Sequence, residues 1–580
     1  MAGSGETGGT LSAVTTAVPG GRLSGVLTGV ALGVGSLVVG GYLLPSWLLL
    51  GCGVVVAAVG SVLLASRRWV AAFDRLFGRR CTTPVWLLLS VGVVSALSLA
   101  LYRIGQLAYD TAVWTGVLGV SISILVTTAL SSRRGSVGRS RYRLPAWTLV
   151  VGLGATGCVA WGFVRTGSPT GAVFFAAFAV FFLYVWFVVP LAIYQRNGTD
   201  EAPPPVEPYP TVSVIVPAYN EEGYVGRCID HVLASDYPEE RREVLVVDDG
   251  STDGTYEEAV RRAGPGVTVH SKPNGGKHEA LNDGLERTTG DVVVIVDADS
   301  FVEPDALSNV VGTFQAAPET GGLASDVRVR NRRDGVTRLQ TLEYVLGINT
   351  FRRAFDVFGA VPVVPGCLGA FRREALADAG GYDGDTLTED FDVTVKVLKA
   401  GWDVRQTPGT VWTEAPYSWR DLYRQRLRWN RGNVEVLLKH RDVFFGDGTR
   451  YLHRLVFPFY LLTLLLVPFV SVAVLAAVGV SLASGHAAAV AGMLAYFLFL
   501  GCLLSVLALR LTGESVRLVP YFVPLVTVYP LFQAGVIAMS VLDVLRNADR
   551  RWASVSRWAQ EATADRASPD GDASGGGSRH

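Results

Sequence analysis

The sequence predicts an α/β domain with a mostly parallel sheet, inserted between an N-terminal and a C-terminal bundle of transmembrane helices. Three observations lead to this prediction. The chain of 580 residues is 49% hydrophobic, which is too apolar for a soluble enzyme. Apolar runs of about 20 residues, the length that spans a bilayer, crowd both ends of the chain. Between them, short β-branched runs alternate with helical patterns, as in βαβ units.

The N-terminal third carries the first group of apolar spans. Residues 1–24 are rich in Gly, Ser and Thr, which predicts a disordered start, and residues 25–196 hold about six spans. Arginines crowd alternate loops between these spans, at 67–80 and at 133–143. Because positive charge marks the cytoplasmic side, the domain that follows is predicted to be cytoplasmic. The chain is thus predicted to be a multi-pass protein of the plasma membrane.

The rest of the chain divides by composition. Residues 197–210 form a proline-rich linker, and 211–415 have the composition of an α/β domain. Residues 416–450 interleave arginines with Trp, Tyr and Leu at helical spacing, which predicts amphipathic helices at the membrane surface. Residues 451–546 hold further apolar spans, the last of them interrupted by prolines and therefore interfacial or re-entrant in its first part. Residues 547–580 are predicted to be a partly disordered cytoplasmic tail.

Composition also excludes some classes of function. The formal net charge is zero, so there is no electrostatic basis for binding nucleic acid. The six cysteines are scattered and show neither metal-ligand nor redox-motif spacing.

Two carboxylates follow the most strand-like run of the middle domain. Val292–Val296 is unbroken and β-branched, the composition of a strand buried on both faces of a parallel sheet, and Asp297 and Asp299 come directly after it. Ligands of open α/β sheets bind at the carboxyl ends of strands. Two acids one residue apart can share a divalent cation that holds a pyrophosphate. Asp pairs after strands also cap helices, so this pair alone leaves both interpretations open.

Earlier strand ends carry groups suited to a nucleotide. Tyr219 follows the first strand and offers a ring for stacking, while Asp249 follows the second and offers an acceptor for a base N–H. Lys277 comes after an Asn-Gly-Gly loop, where it can meet phosphate charge. Ordinary turns, which are rich in Asn, Asp and Gly, are the alternative at each position.

Later motifs suit the reacting groups. Gly366 and Cys367 form a small-residue turn that a ligand could approach closely, or else a tight core turn. Asp390 lies in an acidic cluster that opens a helix, where it can act as a general base or simply as a first-turn acid.

A further group lies on the predicted surface helix. Gln425, Arg428 and Trp429 are spaced i, i+3 and i+4, so they share one helix face. Arginine suits a diphosphate and tryptophan a sugar ring; chance spacing is the alternative.

Six short motifs now stand in one order: Pro-x-Tyr-Asn-Glu, Asp-Asp-Gly-Ser, Asn-Gly-Gly-Lys, Asp-Ala-Asp, Thr-Glu-Asp and Gln-x-x-Arg-Trp. This set resembles the membrane-integrated processive family 2 glycosyltransferases, such as the cellulose, chitin and hyaluronan synthases, and most of all the poly-N-acetylglucosamine synthases. The resemblance covers about 211–440 and implies a GT-A fold. The chain departs from that pattern in its roughly six N-terminal spans, where relatives commonly have fewer.

The resemblance also implies roles. It assigns donor binding to Tyr219, Glu221, Asp249, Lys277, Asp297, Gln425, Arg428 and Trp429, catalysis to Asp390 with Glu389 and Asp297, acceptor contacts to Gly366, Cys367 and Trp429, and the metal-ligand role to Asp299. The implied cofactor is Mg²⁺ or Mn²⁺.

The predicted function is that of a membrane-bound inverting glycosyltransferase. It would use a UDP-sugar, similar to UDP-N-acetylglucosamine, to elongate and translocate a β-linked polysaccharide. Its predicted partners are the donor, the growing glycan and the lipid bilayer, without nucleic acid. The alternative within enzymes is transfer of one sugar to a lipid-phosphate-linked or other lipid acceptor. A catalytically inactive membrane scaffold is the alternative from another class, and the acids and bases of the motifs argue against it.

Overall fold

The computed structural model describes residues 204–444, 451–452, 456–485 and 512–546, with isolated residues between 173 and 195 and between 487 and 510. The predicted N-terminal stretch 1–24, nearly all of the spans in 25–196, the first half of the linker and the tail 547–580 lie outside the described residues. The chain divides into two compact units, residues 1–199 with 467–530, and residues 200–466 with 531–580.

The second unit is built on one mixed sheet of eight strands. The strands are β1 Val212–Ala218, β2 Arg242–Asp248, β3 Val267–Ser271, β4 Val292–Ile295, β5 Phe301–Val302, β6 Thr320–Val329, β7 Gly369–Arg372 and β8 Asp403–Thr413. They are ordered β3-β2-β1-β4-β7-β6-β8-β5. β1 to β4 pair in parallel and so do β6 and β8, whereas β7 and β5 pair antiparallel with their neighbours. The predicted α/β domain with a mostly parallel sheet is confirmed.

Helices connect these strands and continue beyond them. They are α1 Val225–Leu233, α2 Thr255–Val260, α3 Lys277–Arg287, α4 Ala306–Ala316, α5 Gly335–Glu343, α6 Thr350–Asp356, α7 Arg373–Ala379, α8 Glu389–Lys399, α9 Trp419–Lys439, α10 Phe457–Leu461, α11 Val467–Ala483, α12 Phe522–Thr527 and α13 Tyr529–Leu545. Short stretches of 3₁₀ helix lie at Glu239–Arg241, Arg441–Phe444 and Val516–Tyr521, and π-helical turns at Tyr344–Asn349 and Leu462–Leu466.

The central strands are buried on both faces, as their composition predicted. Along β4, Val292 and Val294 pack in one hydrophobic core, whereas Val293 and Ile295 pack in the other. None of the four is more than 2% exposed. Successive side chains of a strand point to opposite faces, so an unbroken apolar run requires a core on each side.

The order of the strands opens a crevice at one edge of the sheet. The chain passes from β1 outward to β2 and β3 and then returns to the other side of β1 as β4. The loops after β1 and β4 therefore leave the sheet in opposite directions, and ligands of α/β sheets bind at such a switch point. The acidic motifs that follow β1, β2 and β4 lie at this edge, whereas Glu389 and Asp390 open helix α8.

The long helix α9 belongs to the same unit. Ser418 caps its N-terminus, accepting the N–H of Asp421 at 3.1 Å. Its residues Val436 and Leu437 pack into the second core. The membrane-surface location of 416–450 stays a prediction.

Within the described residues, one helical stretch is long and apolar enough to cross a membrane. It runs from Phe457 to Ala483, 27 residues with a mean hydropathy of 2.7 over its most apolar window. The pair Val516–Thr527 and Tyr529–Leu545, separated by a bend, would make a second if counted as one span. Pro520, Pro524 and Pro530 surround this bend. The C-terminal transmembrane region at 451–546 stays a prediction.

Candidate active site

At the carboxyl edge of the sheet, hydrogen bonds connect the loop that follows β1 to the loop that follows β2. Thr252 N–H donates to Asn220 Oδ1 at 2.8 Å, and Glu221 N–H donates to Thr255 Oγ1 at 2.7 Å. Asn220 has a φ of +55°, which Asn tolerates better than most residues. Tyr219 lies beside this junction with 48% of its surface exposed, so its ring is open to a ligand.

Asp249 holds the glycine loop that precedes α3. Its Oδ1 accepts from Lys272 Nζ at 2.9 Å and from the N–H of Gly275 at 3.0 Å, and its Oδ2 accepts the N–H of Gly276 at 2.7 Å. The carboxylate is buried and therefore needs these donors. Asp249 thus fixes the position from which Lys277 extends. Its contact with a nucleotide base stays a prediction.

Lys277 lies between two carboxylates from distant parts of the chain. Its Nζ is 2.6 Å from Asp297 Oδ1, at the end of β4, and 3.1 Å from Glu389 Oε1, at the start of α8. Burial by itself would lower the pKa of Lys277, but Asp297, Glu389 and Asp390 outweigh it and raise the pKa above its usual value. The ammonium group therefore stays charged and ties the strand end to the helix.

The adjacent acids of α8 have pKa values that are shifted in opposite directions. Burial opposes ionisation of Glu389, but Lys277 and Arg428 lower its pKa below the usual value. Burial and the neighbouring charge of Glu389 raise the pKa of Asp390 to about 6. Such a divergence is typical of an acid–base site, and a carboxylate with a pKa near neutrality is suited to accept a proton.

Gly366 touches the Lys277–Asp297 pair. A Cβ at this position would lie 2.6 Å from Lys277 Nζ and 3.3 Å from Asp297 Oδ2. The next residue, Cys367, is half-buried, and burial together with Asp297 raises its pKa to about 12. Its thiol is thus protonated at neutral pH and is a poor nucleophile. The turn brings small groups close to Asp297; its contact with an acceptor stays a prediction.

Gly366→Ala is expected to lower kcat/KM for the donor by about 10- to 100-fold while the fold is kept, because the new methyl group displaces Lys277 Nζ and small misplacements of reacting groups are costly. Steady-state kinetics and a thermal melt check this. Gly264→Ala is the matched control, since a Cβ there has no atom within 4 Å. Equal kinetics for the two variants would contradict the prediction.

Asp299 lies in a concentration of negative charge. It is 8% exposed, and Ser300 Oγ donates to its Oδ1 at 3.1 Å. The thiol of Cys228 is buried, and burial, Asp299, Asp297 and Glu221 all raise its pKa. Hard oxygen ligands in a negative field suit Mg²⁺ or Mn²⁺, which are commonly held by one or two carboxylates plus substrate phosphates. Asp299 and Asp297 fit such an ion.

A second acidic cluster is already neutralised. Among the described residues, Asp383, Asp385 and Asp392 bring their oxygens close enough to share a metal ion. Lys439 Nζ lies among them, at 2.7, 2.7 and 3.0 Å. This cluster therefore binds an ammonium group of the chain itself.

The three residues predicted on one face of α9 have different surroundings. Gln425 Oε1 is buried and has no hydrogen-bond partner in the part of the chain that the structure describes. Arg428 lowers the pKa values of Glu389 and Asp390, so it faces the same site. Trp429 packs against the first core, and the guanidinium of Arg426 lies 4.3 Å from the centre of its ring. One face of that ring is therefore partly covered.

Other residues near the acids were missed by sequence reasoning. Arg352 is buried, donates to Ser325 O at 3.5 Å and interacts electrostatically with Asp390. Asn282 clamps the backbone of Tyr382 through two hydrogen bonds of 2.8 and 3.0 Å. Neither Arg352 nor Tyr382 follows a strand or lies in a recognisable motif, so the sequence carried no signal for them.

Comparison with known proteins gives one family and several relatives. Residues 213–380 match the family model described as Glycosyl transferase family 2. The poly-beta-1,6-N-acetyl-D-glucosamine synthase of Staphylococcus aureus (strain MSSA476) is 32% identical over 254 residues, 43% of this chain and 60% of that one. The protein of the same name from Staphylococcus epidermidis is 31% identical over 231 residues, 39% of this chain and 56% of that one. The match thus spans about three fifths of the length of these relatives.

Among solved structures, a mannosyltransferase from Pyrobaculum calidifontis, PcManGT, in complex with GDP-Man and Mn²⁺, is 25% identical. The match covers 66% of this chain and 99% of that one, with a TM-score of 0.49.

Proposed function

We propose that this chain, which belongs to glycosyltransferase family 2 and is related to the poly-β-1,6-N-acetyl-D-glucosamine synthases, transfers a sugar from a UDP-sugar with inversion and thereby elongates a β-linked polysaccharide at a membrane. The family predicted from the six motifs is the one that residues 213–380 match.

One observation carries the proposal. Lys277 lies within salt-bridge distance of both Asp297 and Glu389, which come from two other segments of the chain, and Asp390 directly follows Glu389. Stability of the fold does not explain this group of charges, because the free energy of desolvating several buried carboxylates around one ammonium group is unfavourable. A site that binds a charged donor and moves a proton accounts for them.

On the donor side, the chain supplies positive charge and a stacking ring. Tyr219 is exposed where a nucleobase would lie. Lys277 and Arg428 would neutralise the diphosphate, and the amide of Gln425 would complete the cover over it. A divalent cation held by Asp299, with Asp297, would supply further neutralisation of the leaving group when it is bound.

On the acceptor side, Asp390 acts as the general base. Its carboxylate takes the proton of the acceptor hydroxyl, whose oxygen then attacks the anomeric carbon from the face opposite the diphosphate. The new C–O bond forms as the bond to the diphosphate oxygen breaks, so UDP leaves with that electron pair and the configuration inverts. A pKa of about 6 keeps Asp390 ionised at neutral pH and still basic enough to accept the proton.

Elongation of a polymer and its passage through a membrane rest on the relatives and on the apolar spans. The relatives are named as synthases of a polysaccharide. The chain would then be a multi-pass protein of the plasma membrane with its α/β domain in the cytoplasm. Its partners would be the donor, the growing glycan and the bilayer.

The test is to offer membranes containing the full chain a panel of radiolabelled UDP-sugars with Mg²⁺ or Mn²⁺ and to size the products. We expect one UDP-sugar, UDP-N-acetylglucosamine first among them, to give a product of high molar mass that resists extraction into organic solvent. A product of one sugar extracted with lipids would instead establish transfer to a lipid acceptor. No sugar transfer from any UDP-sugar would refute the proposal.

Asp299→Asn is expected to abolish the response of donor binding to Mn²⁺, because the variant keeps the size of the side chain and loses its charge. Titration calorimetry of UDP with and without Mn²⁺ checks this on the purified full chain. Asp305→Asn, at the N-cap of α4, serves as the control. An unchanged Mn²⁺ response in Asp299→Asn would rule out this residue as a ligand.

A further inference from the structure

The C-terminal half of α9 lies against the segment that carries the proposed base. We call residues 383–392 the base segment, and Arg431, Gly432, Glu435 and Lys439 the α9 clamp. Glu435, Gly432 and Lys439 contact the base segment directly. Arg431 forms an ion pair with Glu435.

Glu435 holds the backbone just before the acids. Its Oε2 accepts the N–H of Leu387 at 3.0 Å, and its Oε1 lies 3.1 Å from Arg431 Nε. The side chains of Glu435 and Arg431 are both only 8% exposed. A buried carboxylate fixed by an ion pair has little freedom, so it also limits the freedom of the amide that it accepts.

Gly432 brings the two backbones together. A Cβ at Gly432 would lie 2.6 Å from Cγ2 and Oγ1 of Thr388 and 2.8 Å from its backbone N. Thr388 is buried and immediately precedes Glu389. The helix therefore touches the chain one residue away from the pair of acids.

Lys439 closes the other end of the base segment. Its ammonium lies within 3.0 Å of carboxylate oxygens of Asp383, Asp385 and Asp392, and the last of these is fully buried. His440 Nε2 lies 2.8 Å from the second oxygen of Asp392. Contacts thus flank Asp390 on both sides.

We propose that the α9 clamp is a positioning device that sets the place of Asp390 relative to the residues covering the donor. Gln425, Arg428 and Trp429 lie on the same helix, and Arg428 is seven residues from Glu435, about 10 Å along the axis. One rigid helix therefore fixes both the proposed diphosphate cover and the proposed base. The inference rests on the proposed function, and Glu435 acts through Asp390 without touching substrate.

The first test measures the clamp without any reaction. Hydrogen–deuterium exchange of the purified full chain is compared between the unaltered protein and Glu435→Ala. We expect faster exchange in peptides covering Leu387–Asp392, since the Leu387 amide loses its acceptor. Glu286→Ala, an exposed glutamate in the last turn of α3, is the matched control and should leave these peptides unchanged. Unchanged exchange in Glu435→Ala would overturn the proposal.

The second test separates positioning from general destabilisation. Glu435→Ala should lower kcat by about 10- to 100-fold with KM for the UDP-sugar and affinity for UDP nearly unchanged, because the donor contacts lie elsewhere. Glu435→Gln keeps an acceptor for Leu387 and should recover part of the lost turnover. A fall in donor affinity equal to the fall in kcat, or a Gln variant as slow as the Ala variant, would overturn the positioning role.

The two proposals fail separately. If the unaltered protein transfers sugar and only the exchange or kinetic results for Glu435 are negative, the clamp is wrong and the proposed function stands. If the unaltered protein transfers no sugar, the proposed function is wrong, and with it the positioning role for a base.

Discussion

Replacing Asp390 by Asn is expected to lower the rate of sugar transfer by about 10²- to 10⁴-fold, the usual contribution of a general base, while UDP still binds. Asn keeps the size of the side chain and cannot accept the proton of the acceptor hydroxyl. Polymer synthesis and UDP affinity, measured on the same preparation, check the two parts. Normal polymer yield from this variant would exclude Asp390 as the base.

The control for this variant is Asp236→Asn, which alters an exposed aspartate of the same domain. It should leave both transfer and UDP affinity unchanged. Loss of UDP affinity in Asp390→Asn would show that the residue supports the donor site rather than the proton transfer.

The same assignment predicts the dependence of turnover on pH. Asp390 must be ionised to act, so turnover should fall as pH drops through about 6 and be constant above it. The charge of Glu389 is one cause of the raised pKa, and Lys277 and Arg428 oppose it. Glu389→Gln should therefore move the fall in turnover to lower pH. A fall that stays in place would separate Glu389 from the titration of Asp390.

Lys277→Met is expected to lower kcat/KM for the donor by about 10²- to 10³-fold, the usual loss when one preorganised group that stabilises developing charge is removed. The change takes away the cation that would meet the diphosphate. It also leaves Asp297 and Glu389 facing each other without the ammonium that lies 2.6 and 3.1 Å from them. Steady-state kinetics with the preferred UDP-sugar measure the loss.

Lys399→Met is the matched control, because Lys399 pairs with Asp442 at 2.8 Å at the far end of α8. It should have near-normal kinetics. If the two variants differed only in melting temperature and not in kcat/KM, Lys277 would be a structural cation and its role at the diphosphate would be wrong.

The sequence alone determined which strand ends would carry chemistry. Acids and small residues follow β1, β2 and β4, and parallel strands bring their carboxyl ends to one edge, so Asp249 and Asp297 had to share that edge. The run Val292–Val296 required a hydrophobic core on both faces of the sheet, because its residues are all apolar and do not alternate with polar ones. The order of six motifs was enough to predict the family whose model residues 213–380 match.

The tertiary structure alone decided which charges meet. The spacing of apolar and polar residues shows which side chains share one face of a strand or helix. Which distant side chain each of them contacts depends on how the segments pack. The contacts of Lys277 with Glu389, of Gly366 with Lys277, and of Lys439 with three acids join such segments. Strands β5 to β8 were also not predicted. β5 and β7 are very short, β6 contains two glycines together with Ser325 and Asp326, and β8 contains Pro408. The pKa of Asp390 likewise depends on burial and neighbouring charges, which exist only once the chain has folded.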